Sequence, residues 1–152
     1  MDILRRNTDY ALRLMVSLAR HQENGSVSTR LAAQEQEVSY QLACKLMQQL
    51  HDAKLVESTM GPKGGFRLSR EAADISLLDV IQAVQGPLSL NRCLLEEPCC
   101  PRQGVCPVRA KMGELQGRMG EYLGGVTLEE LASSQGAGRR ESAAKETAGE
   151  KP

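Results

Sequence analysis

Two short helical patterns, separated by a tight turn and followed at once by a glycine-rich turn, constrain the fold most strongly. Ser28 is placed to cap a helix over TRLAAQEQ, the letters EVS form the turn, and Ser39 is placed to cap a second helix over YQLACKLMQQLHDA. The leucines of that second helix lie on one line, and its glutamines and lysine lie on another face. Two helices joined by a turn of about 3–4 residues, the second with a polar face, predict a helix-turn-helix.

The next segment, LVESTMGPKGGFRLS, predicts a strand, a tight turn and a returning strand. Several glycines beside one proline favour such a turn, because glycine adopts positive φ without steric cost. A hairpin that directly follows a helix-turn-helix is a wing. Many small helical proteins contain helix-turn-helix shapes that do not bind DNA, but the motif followed by a wing is more specific and predicts DNA binding.

Two further helices flank this motif. The first, roughly Thr8 to His21, has apolar residues at spacings of three and four. The other lies in ISLLDVIQAVQGP, where Ser76 and Asp79 have the positions of a capping box and Gly86 ends the pattern. We therefore expect a mainly α-helical fold with a small β-hairpin wing, and a DNA-binding domain over 1–86.

A long helix follows, opened by Pro107 as a first-turn proline. Apolar side chains on it repeat with the heptad spacing of a helix that pairs with a second copy of itself or packs along the domain. This seam comprises Val108, Met112, Leu115, Met119 and Tyr122. We predict a homodimer through residues 107–133, which include a short last helix beginning near Thr127, and a disordered tail over 134–152.

Composition narrows the class of protein. Lys+Arg and Asp+Glu number 19 each, so net charge alone does not indicate a polyanion partner. With no Trp and one Phe, stacking on single-stranded nucleic acid is not expected. The chain holds no apolar run near the ~20 residues of a membrane span, and its charged start lacks a cleavage signal, so we predict a cytoplasmic protein that does not bind membranes.

A proline-rich loop over 87–106 holds most of the cysteines: Cys93, Cys99, Cys100 and Cys106. A disulfide staple, a metal site and a reactive thiol pair are the alternatives. A reducing cytosol disfavours the disulfide. Zinc sites use cysteines two to four residues apart, whereas the wider spacings in this loop suit an iron–sulfur cluster. Four reduced cysteines without a function are not expected in so short a segment.

Together, NTDYALRLMVSLA, the helix-turn-helix, GPKGGFRLS, ISLLDVIQAV and the spaced cysteines resemble the bacterial IscR/NsrR/RirA-type iron–sulfur transcriptional regulators. The resemblance covers about residues 1–133. It implies a homodimeric winged-helix repressor or activator whose cluster state sets its affinity for a near-palindromic double-stranded operator. A [4Fe–4S] cluster is favoured over [2Fe–2S], and the signal would be nitric oxide, redox or iron status.

The ligand set departs from this family in two places. The IscR branch has a histidine three residues after the last cysteine, where this chain has Arg109. The NsrR branch completes its cluster with a carboxylate from the partner subunit's first helix, and Asp9 matches that position; the alternative is that Asp9 only favours the helix dipole. The middle cysteine is doubled, so either Cys99 or Cys100 is the ligand, or both are.

The predicted DNA contacts cluster on the helix-turn-helix and the wing. They are Ser28, Ser39, Tyr40, Gln41, Lys45 and Lys63. Gln and Lys on a recognition helix reach base edges and phosphates. In the family an arginine commonly precedes the Gly-Pro of the wing; Met60 stands there, which puts minor-groove reading in doubt. Cys44, on the same helix, is interpreted as a small packing residue.

Two other functions are alternatives to a cluster-dependent regulator. A winged-helix regulator without a cluster, responding to thiol oxidation or a metabolite, is the alternative reading of the same cysteines. An enzyme is not expected, because the chain contains no nucleophile–base motif, and GPKGG lacks the G-K-[ST] ending of a phosphate-binding loop.

Overall fold

The structure is a computed structural model that describes residues 3–95 and 100–134. It contains six α-helices and one β-hairpin within those residues. The elements are α1 (Arg6–Arg20), α2 (Thr29–Glu35), α3 (Tyr40–Asp52), β1 (Val56–Thr59), β2 (Gly65–Leu68), α4 (Leu77–Gln85), α5 (Pro107–Gly125) and α6 (128–134). The predicted fold class, mainly α with a hairpin wing, is therefore confirmed.

The helix-turn-helix forms from α2 and α3, and both predicted caps are present. The Ser28 hydroxyl accepts a hydrogen bond from the Leu31 amide at 3.1 Å, and the Ser39 hydroxyl accepts one from the Leu42 amide at 3.4 Å. Between the helices Glu37 has φ 54°, a left-handed conformation. This backbone turn brings α3 across α2 within a connection of four residues.

The wing is an antiparallel pair in which Val56 lies opposite Leu68 and Thr59 lies opposite Gly65. A third segment joins it, because Val27 and Phe66 exchange two backbone hydrogen bonds of 2.8 Å. Gly65 is required at this junction: a Cβ built on it would lie 2.1 Å from the Val27 carbonyl oxygen. The wing is thereby fixed to the residue that precedes the cap of α2.

The core lies among α1, α3 and α4, with α2 and the base of the wing packed on it. Side chains at the three- and four-residue spacings of α1 and α3 point inwards, as their sequence periodicity predicts. The largest fully buried side chains include Leu14, Met15, Leu18, Leu46, Met47, Leu50, Ile75 and Ile81. Burying this face leaves the opposite face of α3 exposed to solvent.

The last described segment returns to the start of α4. Ser76 and Asp79 form the predicted capping box, with bonds of 2.9 and 3.1 Å. Beside it, the Leu77 amide donates to the Val126 carbonyl and the Leu128 amide donates to the Ile75 carbonyl, each at 2.9 Å. Helix α6 thereby holds the end of α5 against the DNA-binding half.

Helix α5 has no buried side chain within the described chain. Its predicted seam divides into two parts. Met112 and Met119 are half-buried, on the side of α5 where the Gln116 side chain accepts a hydrogen bond from the Leu90 amide of the loop, whereas Val108, Leu115 and Tyr122 are 59%, 46% and 70% exposed. The predicted disordered tail lies outside the described residues from residue 135 onwards, while residue 134 belongs to α6. None of the helices described here is both long and apolar enough to cross a bilayer.

Candidate functional site

One face of α3 is polar and exposed because the opposite face fills the core. Tyr40, Gln41 and Lys45 lie on this exposed face, and Ala43 and Leu46 are completely buried behind it. Helical spacing therefore presents hydrogen-bonding and cationic side chains together at the N-terminal end of the helix. Such an arrangement suits insertion of α3 into a major groove.

The two capping serines stand at the starts of the motif's helices. Ser28 and Ser39 are exposed, and each hydroxyl already accepts one backbone N–H. A hydroxyl also carries a proton, which either serine has available to donate to an anionic oxygen. The capping role and a phosphate contact are therefore compatible at both positions.

Tyr40, a predicted DNA contact, lies beside Arg30, a residue that the sequence did not single out. The guanidinium carbon of Arg30, on α2, lies 4.9 Å from the centroid of the Tyr40 ring. The Cys44 thiol, one turn along α3, raises the pKa of Tyr40 above its ordinary value despite the opposing charge of Arg30. Cys44, predicted as a packing residue, is half-buried beside it. No local pattern signals the Arg30–Tyr40 contact, because it joins two helices.

The wing tip projects exposed side chains away from the core. Lys63 is exposed, and Met60 is 98% exposed where the family usually has arginine. Across the strands Arg67 pairs with Glu57 at 3.0 Å. At the end of β1 that leads into the turn, the Thr59 hydroxyl donates to the Ser26 hydroxyl at 2.6 Å, which joins the wing to the segment before α2.

In the cysteine loop, two of the predicted ligands meet at one residue. The Arg109 side chain donates from Nε to the Cys93 carbonyl oxygen at 3.1 Å, and the Arg109 amide donates to the Cys106 sulfur at 3.5 Å. Cys106 is the N-cap of α5, a role its sulfur takes in place of a hydroxyl. Arg109, which stands where the IscR branch has a histidine, therefore contacts both the first and the last cysteine of the loop.

The described cysteines are reduced, and Cys100 is exposed whereas Cys93 and Cys106 are half-buried. Within residues 3–95 and 100–134, no three His, Cys, Asp or Glu side chains lie close enough together to share a metal ion. Cys99 lies outside the described residues. Thiolate sulfur suits an iron–sulfur cluster, and hydrogen bonds to cluster-bound sulfurs tune its reduction potential. The donor set of the loop fits the predicted cofactor.

Asp9 lies in the first turn of α1 and is 63% exposed. Its carboxylate is 3.9 Å from Arg13, one turn along the helix. This exposure leaves the carboxylate accessible from solvent. The start of α1, which carries Asp9, is hydrogen-bonded to the side chain of Gln85, the last residue of α4.

A winged helix-turn-helix with an exposed polar recognition helix defines a class of DNA-binding transcriptional regulators, not a class of enzymes. Residues 4–134 match the family model described as Rrf2, iron-dependent transcriptional regulator. The chain belongs to the Rrf2 family.

Relatives and solved structures agree with this assignment. The chain is 35% identical over 122 residues to protein rrf2 of Nitratidesulfovibrio vulgaris, covering 80% of this chain and 81% of that protein. It is 34% identical over 128 residues to the HTH-type transcriptional regulator IscR of Xenorhabdus nematophila, covering 83% of this chain and 76% of that one. The fold matches CymR, the global cysteine regulator of B. subtilis, with a TM-score of 0.74 and 29% identity, covering 88% of this chain and 98% of CymR.

Proposed function

We propose that this protein is a cytoplasmic homodimeric transcriptional repressor or activator whose operator affinity is set by an iron–sulfur cluster. The observation that carries the proposal is the double contact of Arg109 with the Cys93 carbonyl and the Cys106 sulfur. It joins both ends of the cysteine loop to the start of α5. A change in the loop would therefore act directly on the helix that bears the exposed apolar seam.

The proposed ligands are Cys93, Cys106 and one or both of Cys99 and Cys100, with Asp9 supplied by the partner subunit. The bound cluster would supply a centre that nitric oxide, oxygen or iron shortage alters. The cysteine thiolates hold it, whereas the harder carboxylate of Asp9 is the weaker ligand. Its exposure at the start of α1 supports a contact across the dimer.

On DNA, α3 would enter the major groove and the wing would lie on the adjacent backbone. Gln41 would read base edges, and Tyr40 and Lys45 would contact bases or phosphates. Ser28 and Ser39 would fix the helix ends on phosphates, and Lys63 would reach the backbone from the wing tip. Because the dimer has two such motifs, the operator would be a near-palindrome.

The test is to purify the protein and single alanine variants of each proposed ligand without oxygen. The parent should be brown-red with thiolate-to-iron absorption, and Cys93→Ala and Cys106→Ala should be colourless. Cys99→Ala and Cys100→Ala should differ from each other if one of them binds. Asp9→Ala should keep a cluster with an altered spectrum and an altered rate of reaction with nitric oxide.

Operator binding is then measured with DNA selected from random duplexes, before and after cluster loss. Gln41→Ala should reduce the preference for operator over random duplex, whereas Lys63→Ala should weaken both. A colourless parent that still changes its affinity on thiol oxidation would contradict the cluster proposal. An Asp9→Ala protein identical to the parent, with both Cys99 and Cys100 essential, would instead establish a four-cysteine site.

The second candidate is a cluster-free regulator that responds to thiol oxidation or a metabolite. It is favoured by the structural match to CymR, the global cysteine regulator of B. subtilis. The exposed Cys100 thiol is the group that such a mechanism would oxidise first. The colour of the anaerobic protein separates the two candidates.

A further inference from the structure

Arg30 has its donors available at the surface of the helix-turn-helix. Its guanidinium stacks on the Tyr40 ring at 4.9 Å and Arg30 is exposed. By contrast, Arg13, Arg67 and Arg70 each have a described oxygen partner, among them the Gln36 carbonyl for Arg13 and the carboxylates of Glu57 and Asp79 for the other two. Among the described residues, no oxygen accepts a hydrogen bond from Arg30. A cation–π contact with the ring needs no hydrogen-bond acceptor, so the N–H groups of the guanidinium can donate to another partner.

The ring beneath Arg30 is itself held in place. Tyr40 is the first residue of α3, so its backbone is fixed by the helix, and the Arg30 guanidinium covers one side of its ring. The ring is 49% exposed, so it is held without being buried. A side chain that is fixed before binding loses less conformational entropy when it binds. This argument applies to Arg30 as well as to Tyr40.

We propose that Arg30 is a DNA phosphate-binding residue, positioned by the ring of Tyr40. The proposal rests on the proposed docking of α3 in the major groove. In this motif the first helix crosses the DNA backbone while the second enters the groove, so α2 faces phosphates. A planar guanidinium binds phosphate oxygens through two parallel hydrogen bonds. The contact between Arg30 and Tyr40 therefore links a DNA phosphate contact on α2 to the N-terminal end of α3, which would contact the bases.

The dependence of Arg30 on Tyr40 gives the proposal a specific signature. Removing either side chain should weaken DNA binding. Because Tyr40 acts partly through Arg30, the double variant should lose less binding free energy than the two single variants lose in total. Tyr40→Phe retains the ring and removes only the hydroxyl. It should therefore keep most of the Arg30 contribution, which Tyr40→Ala loses.

The experiment measures affinity by fluorescence anisotropy for the selected operator and for a random duplex of equal length, over a range of salt concentrations. Arg30→Ala should weaken both complexes by the same factor, on the order of tenfold, and reduce the salt slope by about 0.9, the value of one phosphate contact. Arg30→Lys should keep the slope with a partial loss of affinity. Arg118→Ala, an exposed arginine on α5, is the matched control and should change neither quantity.

Each alternative result has a distinct meaning. If the parent binds operator while Arg30→Ala has unchanged affinity and salt slope, the inference is wrong. If Arg30→Ala has a lower affinity and a lower Tm but an unchanged salt slope, Arg30 contributes to packing alone, and the inference is again wrong. A folded parent that binds no duplex contradicts the proposed docking of α3 and not the Arg30 assignment in particular.

Discussion

The buried hydroxyl of Thr8 donates a 2.7 Å hydrogen bond to the side-chain oxygen of Gln85, which lies 77 residues away. The same oxygen accepts the Arg5 amide at 3.1 Å, and the Gln85 amide group donates to the Ile3 carbonyl at 2.9 Å. Helix α1 has no local side-chain cap, because Arg5 occupies that position. Gln85 therefore caps α1 from the end of α4, and the chain enters the cysteine loop directly after it.

Replacing Gln85 by Ala should lower the free energy of unfolding by about 2–3 kcal/mol. The change leaves the fully buried Thr8 hydroxyl without its acceptor, and an unsatisfied buried group costs about 1–3 kcal/mol. Urea denaturation of the apo-protein at one fixed protein concentration measures the effect. Gln82→Ala, an exposed glutamine on the same helix, should stay within about 0.5 kcal/mol of the parent. Equal effects of both variants would contradict the cap.

Gly65→Ala should detach the wing from the segment before α2. The added Cβ would lie 2.1 Å from the Val27 oxygen and 2.4 Å from its carbon, so backbone atoms must move. Overpacking of this kind costs about 1–3 kcal/mol, and both Val27–Phe66 hydrogen bonds are lost with it. We expect lower stability in urea and weaker DNA binding.

Gly104→Ala is the control, because a Cβ at Gly104 meets no atom within 4 Å. It should leave stability unchanged within about 0.5 kcal/mol. A Gly65→Ala protein with the stability and DNA affinity of this control would show that the close approach at Val27 does not constrain the wing.

Glu35 should make stability depend on pH in the acidic range. Burial raises the pKa of its carboxyl, but the hydrogen bonds from Ser17, at 2.6 Å, and His21, at 2.8 Å, outweigh burial and leave the pKa below its ordinary value. Because the folded pKa is lower than the unfolded one, this contribution is complete above the unfolded pKa. It is lost as the pH falls through the folded pKa.

The measurement compares urea denaturation of the parent and Glu35→Gln between about pH 7 and pH 3. The parent should be the more stable at neutral pH, and the difference should shrink as the solution is acidified. Ser17→Ala should reduce the pH dependence, since it removes the largest of the pKa-lowering contacts. A difference between parent and Glu35→Gln that does not vary with pH would refute this assignment.

The exposed part of the α5 seam should hold the dimer together. Leu115→Asp combined with Tyr122→Asp places charges at two exposed apolar positions of that seam, and we expect a monomer in sedimentation velocity. Ala110→Asp adds a charge on the opposite, exposed side of α5 and should leave the dimer intact. A double variant that remains dimeric would place the interface on another surface.

Local signals in the sequence were sufficient for most of the elements. The caps at Ser28 and Ser39, the capping box at Ser76 and the proline that begins α5 each act within four residues of their own position, so the sequence displays them directly. The glycine-rich turn likewise predicts the wing. The spacing of the cysteines identified the loop as a candidate metal site, although their assignment as ligands stays a prediction.

Only the tertiary structure shows which residues of distant segments contact each other. Helical periodicity places Met112 and Leu115 on one seam, but only packing decides that the first is half-buried and the second is exposed. The contact of Arg30 with Tyr40 and the hydrogen bond from Arg109 to Cys93 could not be predicted from the sequence, because each joins residues of different elements.

The sequence by itself therefore determined the helix-turn-helix, the wing and their order, because the hydrogen bonds and φ preferences behind them involve neighbouring residues. Only the tertiary structure decided that Gln85 caps α1 and that Arg109 joins the two ends of the cysteine loop. These contacts depend on how the helices pack around the shared core. Long polar side chains accept many partners, and only that packing places one partner within reach.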